Sequence, residues 1–410
     1  MVRGLAVTGL TILAVLLAVG AASAKPGAPT ARPDIAPDTI KVFTIWGVYT
    51  REQRSQLVSE GYDIGERAWA DHVELFGTDA EARALSLRGW WVVLKEESDD
   101  FPPPDSGYHN YAEMVADLQA VAAAYPQTVH PFSLGMSFEN RDLVGVRISD
   151  DATDNLNEPG VFYVGQHHAR EHLTVEVVLT LVHLYAESNK PEITRLVRNR
   201  QIYIVPSLNP DGAEYDIRDG NYHFIRKNRQ PPDGTDQNRN YSYNWGCCGG
   251  SSSNQFSETY RGPSPFSTPE DSTMRDFMLA HPNIHTGISY HSNAALILYP
   301  YGYTFEDIPP DMTVLDHQTF VKMGEIMEST AGYTAQQSSD LYITDGDWND
   351  WMYGALHKYP ITVELSGSSF YPPDEFIAGE ARRNWQAAVF VAKIADCPTA
   401  IVTGHDCVNP

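Results

Sequence analysis

Cysteine is scarce in this chain. Only Cys247, Cys248, Cys397 and Cys407 occur among 410 residues, and none has zinc-finger spacing, which argues against a cysteine-built metal site. They allow three pairings: one joins Cys397 to Cys407 in a small loop and Cys247 to Cys248 in a vicinal bridge, and the two cross-pairings are equally allowed. Positive charge is also short. Lys and Arg number 29 against 53 Asp and Glu, a net charge of −24, which argues against nucleic acid or an anionic membrane as partner. The excess of acid leaves loops free to bind calcium. Long apolar runs are missing after residue 19, since nothing there approaches the ~18 residues of a membrane-spanning helix. The one apolar stretch, residues 5–19, follows Arg3 and precedes Ala22-Ser23-Ala24, a small-residue cleavage site before Lys25. Residues 1–24 therefore read as a secretion signal, and the protein as secreted and extracellular.

Residues 25–40 are rich in Pro and Ala and read as a linker. Residues 41–95 predict a small α+β unit, with strands at 41–46, 72–76 and 90–94 and helices at 50–60 and 79–87. Thr50 is placed to cap the first helix. A charged, proline-rich stretch, residues 95–104, then separates this unit from the rest and offers a processing site near Asp99-Asp100. From residue 105, buried-strand patterns at 143–148, 160–164, 202–205, 288–290 and 361–365 alternate with helical patterns at 111–125, 175–185 and 378–395. The expectation is an α/β fold with a largely parallel central sheet and helices on both faces. Ligands in such sheets bind at the carboxyl ends of the strands. Residues 168–171 and 207–211, His291 and Glu364 fall at or just beyond such ends.

Gly165-Gln166-His167-His168-Ala169-Arg170-Glu171-His172 follows the predicted strand at 160–164. His168 and Glu171 can offer one Zn²⁺ an imidazole nitrogen and a carboxylate. A catalytic zinc then needs one more protein ligand and an open position. The same residues also fit H-x-x-E-H, the inverted zinc-protease pattern, with His168 and His172 as ligands and Glu171 as base. The two readings give Glu171 opposite roles, and the local sequence leaves both open.

Further motifs follow in order: Asn209-Pro-Asp-Gly212, Arg226-Lys-Asn-Arg229, Asp236-Gln-Asn-Arg-Asn240, Ser257-Glu-Thr-Tyr260, Tyr290-His-Ser292, a segment from Ser339 to Asp347, and Thr362-Val-Glu-Leu365. With the His168 motif, they make residues 100–410 resemble the zinc carboxypeptidase A/B family, most closely its bacterial carboxypeptidase T branch. The resemblance implies that branch's mixed central sheet and that His168, Glu171 and His291 bind one catalytic zinc, with His172 opening the next helix. It implies Glu364 as general base and Arg226 as the stabiliser of the oxyanion. Arg239, supported by Asn238 and Tyr342, is matched to the group that binds a free C-terminal carboxylate, and Asp236 is a candidate acceptor for the His168 ring. Asp347 aligns with an acidic pocket residue, implying cleavage after both hydrophobic and basic residues. Residues 25–99 stand where the family has an activation pro-domain, implying a zymogen cut by an activating protease before it acts on peptide and protein C-termini.

Three departures qualify the match, one of them a shorter segment after Glu364. Asn293 stands where the family usually has Tyr, which touches upstream substrate contacts and not the metal. The calcium loop of the branch keeps Asp150, Asp151, Asp154 and Glu158 but has Asn155, Leu156 and Gly160 in place of acids. Ser106, Tyr108 and Glu113 match a second calcium-linked segment, so fewer or weaker Ca²⁺ sites are expected.

Overall fold

The computed structural model describes residues 41–66, 69–94, 107–218 and 221–405. The expected signal, linker and processing site, and Cys407, lie outside the described residues.

The N-terminal unit runs β1 (Lys41–Trp46), α1 (Arg51–Ser59), β2 (His72–Gly77), α2 (Asp79–Leu87) and β3 (Trp91–Leu94). The strands pair antiparallel in the order β2-β1-β3. Both helices start at a capping box. The Thr50 and Thr78 hydroxyls accept from the backbone N–H of Gln53 and Glu81, whose side chains reach back to the cap. Each such cap contributes about 1 kcal/mol. Phe43, Ile45, Leu57, Val73 and Leu75 form the unit's core, which is continuous with Leu298, Leu341 and Tyr342 of the larger part.

The larger part contains α3 (Tyr111–Ala124), β4 (Val129–Met136), β5 (Asp142–Ile148), β6 (Gly160–Val164), α4 (Leu173–Glu187), α5 (Pro191–Val197), β7 (Gln201–Val205) and α6 (Pro210–Asp216). It continues with α7 (Pro269–Ala280), β8 (Ile284–Ser292), β9 (Leu296–Tyr299), α8 (Val314–Ala331), β10 (Thr334–Gln337), α9 (Ser338–Leu341), α10 (Trp348–Gly354), β11 (Tyr359–Leu365), α11 (Ile377–Lys393) and α12 (Ala400–Thr403). Eight strands form one sheet in the order β10-β9-β11-β8-β6-β7-β5-β4. The four central strands, β11-β8-β6-β7, are mutually parallel. Antiparallel pairings flank them, β9 on β11 and β5 on β7.

Alternation along β6 shows why both faces are covered. Val161 and Tyr163 enter one core with α3, α4, α8 and α11, while Phe162 and Val164 enter a second with Met274 and Met278 of α7 and Trp348 and Trp351 of α10. Successive strand residues point to opposite faces, so a strand sandwiched between helix layers must be apolar throughout. β6 and β7 are buried at every position.

The predicted α/β class holds, and the predicted strands and helices are all present with ends moved by a few residues. The sequence patterns did not announce β4, β9, β10, α12 or any of the helices from α5 to α10. β4 carries Pro131 and Gly135 and lies at the sheet edge, where proline is tolerated but leaves no clear alternating signature. Cys247 and Cys248 are bonded to each other, and Cys397 is disulfide-bonded too. Among the described residues no helix is long and apolar enough to cross a membrane.

Candidate active site

β6, β8 and β11 deliver their residues to the same end of the sheet. The parallel register of β8 and β11 sets Glu364 beside His291. β6 stops at Val164, and the chain then turns sharply through Gln166, whose φ is +54°. Gly165 permits this turn, because a Cβ there would lie 2.5 Å from the Pro206 carbonyl oxygen. The turn carries residues 167–171 across the sheet end before α4 begins.

Three donor side chains converge there. His168 Nδ1 lies 2.8 Å from Glu171 Oε1 and 3.2 Å from His291 Nδ1, and His291 Nδ1 lies 3.0 Å from Glu171 Oε2. All three residues are buried. Burial lowers the pKa of both imidazoles, that of His291 to about 3, so both rings are held neutral with a lone pair to offer. Two neutral ring nitrogens and a carboxylate at such distances suit a shared cation, and Glu171 Oε2 has no hydrogen-bond donor. Two nitrogens, one carboxylate and a fourth open position form a donor set that fits zinc. Among the described residues, this is the one group of three or more such side chains with ligand atoms this close together.

The rival ligand set is not assembled. His172 puts Nε2 2.9 Å from Asp216 Oδ2 and Nδ1 3.2 Å from Gln166 Nε2, so both its ring nitrogens face other partners.

Asp236 organises the next layer. Its Oδ1 lies 3.3 Å from His168 Nε2 and accepts from the Asn238 N–H at 3.0 Å, and its Oδ2 accepts from Arg226 Nε at 3.0 Å. Burial would raise this carboxyl, but Arg226 and His168 outweigh it and hold it well below the usual carboxylate range. Arg226 Nη1 lies near Asp63 and Glu66 of the N-terminal unit. Burial pushes the Glu364 carboxyl well above the ordinary range, helped by the nearby Glu66 and Glu171 carboxylates, and Glu364 Oε2 is without a partner.

The expected substrate-binding residues gather around Arg239. Its Nε donates to the Gly250 carbonyl at 2.9 Å and its Nη1 to the Asn238 carbonyl at 2.7 Å. Asn238 Oδ1 accepts from the Trp348 N–H at 2.9 Å. Asp347 is buried and caps α10, accepting from the Asp350 N–H at 2.9 Å and from the Thr344 hydroxyl. Burial raises its carboxyl, with Arg239 acting in the opposite direction. Asn349 gives its Nδ2 to the Leu298 carbonyl at 3.0 Å and leaves its buried Oδ1 without a partner.

Two carboxylates of the N-terminal unit reach Arg226 and its neighbours, and sequence reasoning did not single them out. Asp63 lies 2.5 Å from Arg170 Nη1 and 3.9 Å from Arg226 Nη1. Glu66 lies 3.8 Å from Arg226 Nη1 and accepts from the Tyr342 hydroxyl. Both sit in a stretch without periodicity, and their burial comes from docking on the larger part, so no local pattern marks them.

In the expected calcium loop, Asp154 accepts from the Tyr203 hydroxyl at 2.5 Å and lies 2.8 Å from His281 Nε2, while Glu158 accepts from Gln201 at 2.8 Å. These carboxylates engage protein donors.

A sequence model of the zinc carboxypeptidases matches residues 114–387. A zinc carboxypeptidase of Saccharothrix mutabilis subsp. capreolus is 41% identical over 355 residues, covering 83% of this chain and 81% of its own. Carboxypeptidase B of Astacus astacus is 30% identical over 276 residues, covering 65% of this chain and 88% of its own. The fold is shared with the carboxypeptidase A of Helicoverpa armigera, with a TM-score of 0.74 at 24% identity over 89% of this chain and 99% of that one.

Proposed function

The chain belongs to the zinc carboxypeptidase family, and from that premise we propose a secreted exopeptidase, made as a zymogen, that releases both hydrophobic and basic C-terminal residues. The convergence of His168, Glu171 and His291 beside Glu364 carries this reading.

His168, Glu171 and His291 would hold one Zn²⁺, which when bound supplies Lewis acidity toward a peptide carbonyl and lowers the pKa of water. Glu364 takes a proton from the attacking water and returns it to the leaving amine, a task suited to a carboxyl raised by burial. Arg226, anchored on Asp236, turns Nη1 toward the charge that develops on the carbonyl oxygen. Arg239 receives the substrate's terminal carboxylate, with Asn238 and Tyr342 alongside, and this requirement restricts cleavage to chain ends. Removing the metal with a chelator should abolish peptide hydrolysis, and added Zn²⁺ should restore it. His291→Ala should lose both zinc and activity. Undiminished turnover by protein shown to be metal-free by elemental analysis would refute this mechanism.

For specificity, Asp347 is the carboxylate beside which a Lys or Arg side chain would end. Its burial next to Arg239 supports a place in the pocket wall. Peptides ending in Leu, Phe, Lys and Arg should all be cleaved. Asp347→Asn, which keeps a good helix cap, should lower kcat/KM after Lys and Arg by about tenfold or more and spare Leu and Phe. If the parent enzyme releases neither Lys nor Arg, Asp347 has no such role.

The zymogen reading is supported by Asp63 and Glu66. They bring two negative charges to Arg170, Arg226 and Tyr342, where a substrate's own anionic groups would be received.

A further inference from the structure

Arg239 can recognise a carboxylate only if the plane of its guanidinium is fixed, since bidentate binding depends on the direction of the N–H fork. The Asn238 carbonyl, which accepts from Nη1, helps to fix it, and so does the Gly250 carbonyl, which accepts from Nε. That carbonyl belongs to residues 246–251, Gly-Cys-Cys-Gly-Gly-Ser, which lie in no helix or strand of the sheet and include three glycines. Glycine-rich chain has much conformational freedom to lose, so something else must hold the loop.

Asp345 supplies that hold. It is fully buried. Its Oδ2 accepts from the backbone N–H of Cys248 at 3.0 Å and of Gly250 at 2.9 Å, and its Oδ1 accepts from the Ser251 hydroxyl. The two segments are also in direct contact: a Cβ on Gly250 would fall 2.3 Å from Thr344 Cα. The neighbours of Asp345 tie down the other side. The Gly346 carbonyl accepts from the Tyr241 N–H at 2.9 Å, and the Trp348 N–H donates to Asn238 Oδ1. The stretch 345–348 thus grips the Asn238 side chain and the Tyr241 backbone on either flank of Arg239 and, through Gly250, the Arg239 side chain.

We infer that Asp345 is a positioning residue for carboxylate recognition: its buried carboxylate sets residues 248–251 so that the Gly250 carbonyl orients the Arg239 guanidinium. Asp345 touches no substrate and acts through Arg239. The inference rests on the reading of Arg239 as the carboxylate receptor, and the test separates the two.

Asp345→Asn keeps the size of the side chain but replaces one acceptor oxygen by a donor. It should raise KM for peptides with a free C-terminal carboxylate by about tenfold and change kcat by less than about threefold, because the lost interaction is already present in the bound ground state. The preference for the free acid over the same peptide amidated at its C-terminus should fall in parallel, while zinc content stays at the parent value. A purely structural role would lower the melting temperature and the amount of active enzyme without moving KM or that preference. Ser251→Ala removes one of the three donors, should shift KM in the same direction by about two- to threefold, and serves if Asp345→Asn does not fold. Arg239→Ala is the control. If it raises KM while Asp345→Asn and Ser251→Ala keep the parent KM, the inference is overturned and the reading of Arg239 stands. If Arg239→Ala leaves KM unchanged, that reading fails and the inference falls with it.

Discussion

Glu364→Gln is expected to lower kcat by about 10⁴-fold while the protein keeps its zinc. Gln has nearly the same shape, so the β8–β11 pairing and the three donors beside it should persist. What disappears is the ability to accept and return a proton. The parent's pH profile gives a second reading. A base works only when deprotonated, so a raised pKa means that activity is lost as pH falls through that raised value. Burial is the main cause of the rise and the Glu66 carboxylate the next. Removing the N-terminal unit takes that negative charge away, and the acidic limb should then move to lower pH. A Glu364→Gln variant with kcat within tenfold of the parent would end the assignment of Glu364 as base.

The second large effect is expected from processing. Cutting between the two units, near Asp99-Asp100, should raise kcat/KM by about 100-fold or more. The physical basis is the contact of Asp63 and Glu66 with Arg170, Arg226 and Tyr342, all buried against one another. Removing one partner of a buried charge pair costs about 3–5 kcal/mol, enough to weaken the docking of the unit a hundredfold or more. Asp63→Asn with Glu66→Gln should therefore raise the activity of the uncut chain by about tenfold or more. Protein recovered from culture medium should begin near residue 25 before processing and near residue 100 after it. Full activity in the uncut parent chain would exclude a zymogen.

The proposed metal donors were legible for different reasons. His168 and Glu171 share a short motif after an apolar run, which marks a strand end without help from the rest of the chain. His291 was legible only through its place in an ordered series of motifs, because the sheet brings it 123 residues back to His168. Local patterns covered β6, α4 and β11, whose apolar spacing matches their burial. They missed α7, where polar and charged residues intervene and only Met274 and Met278 among its large apolar side chains are buried. Asp347 could be read as a pocket carboxylate, but not as the residue that caps α10. Glu66 and Asp345 lay beyond reach, because each acquires its role from a segment hundreds of residues or a whole loop away.

The pairing of β8 with β11 makes strand register a determinant of chemistry. Their ladder runs from Tyr359 opposite Thr286 to Leu365 opposite Ser292, with Glu364 opposite His291 near its far end. A strand alternates faces at every residue, so a slip of one position would bring Val363 or Leu365 to that place and send the carboxylate to the other side of the sheet. The packing that locks the lower rungs, including Trp348 against the bare backbone of Gly287, thus holds the proposed base in place from several residues away. Substitutions there can silence the enzyme with its metal ligands untouched, and variation in this family is best judged by whether it preserves the alignment of two strands as well as the residues they carry.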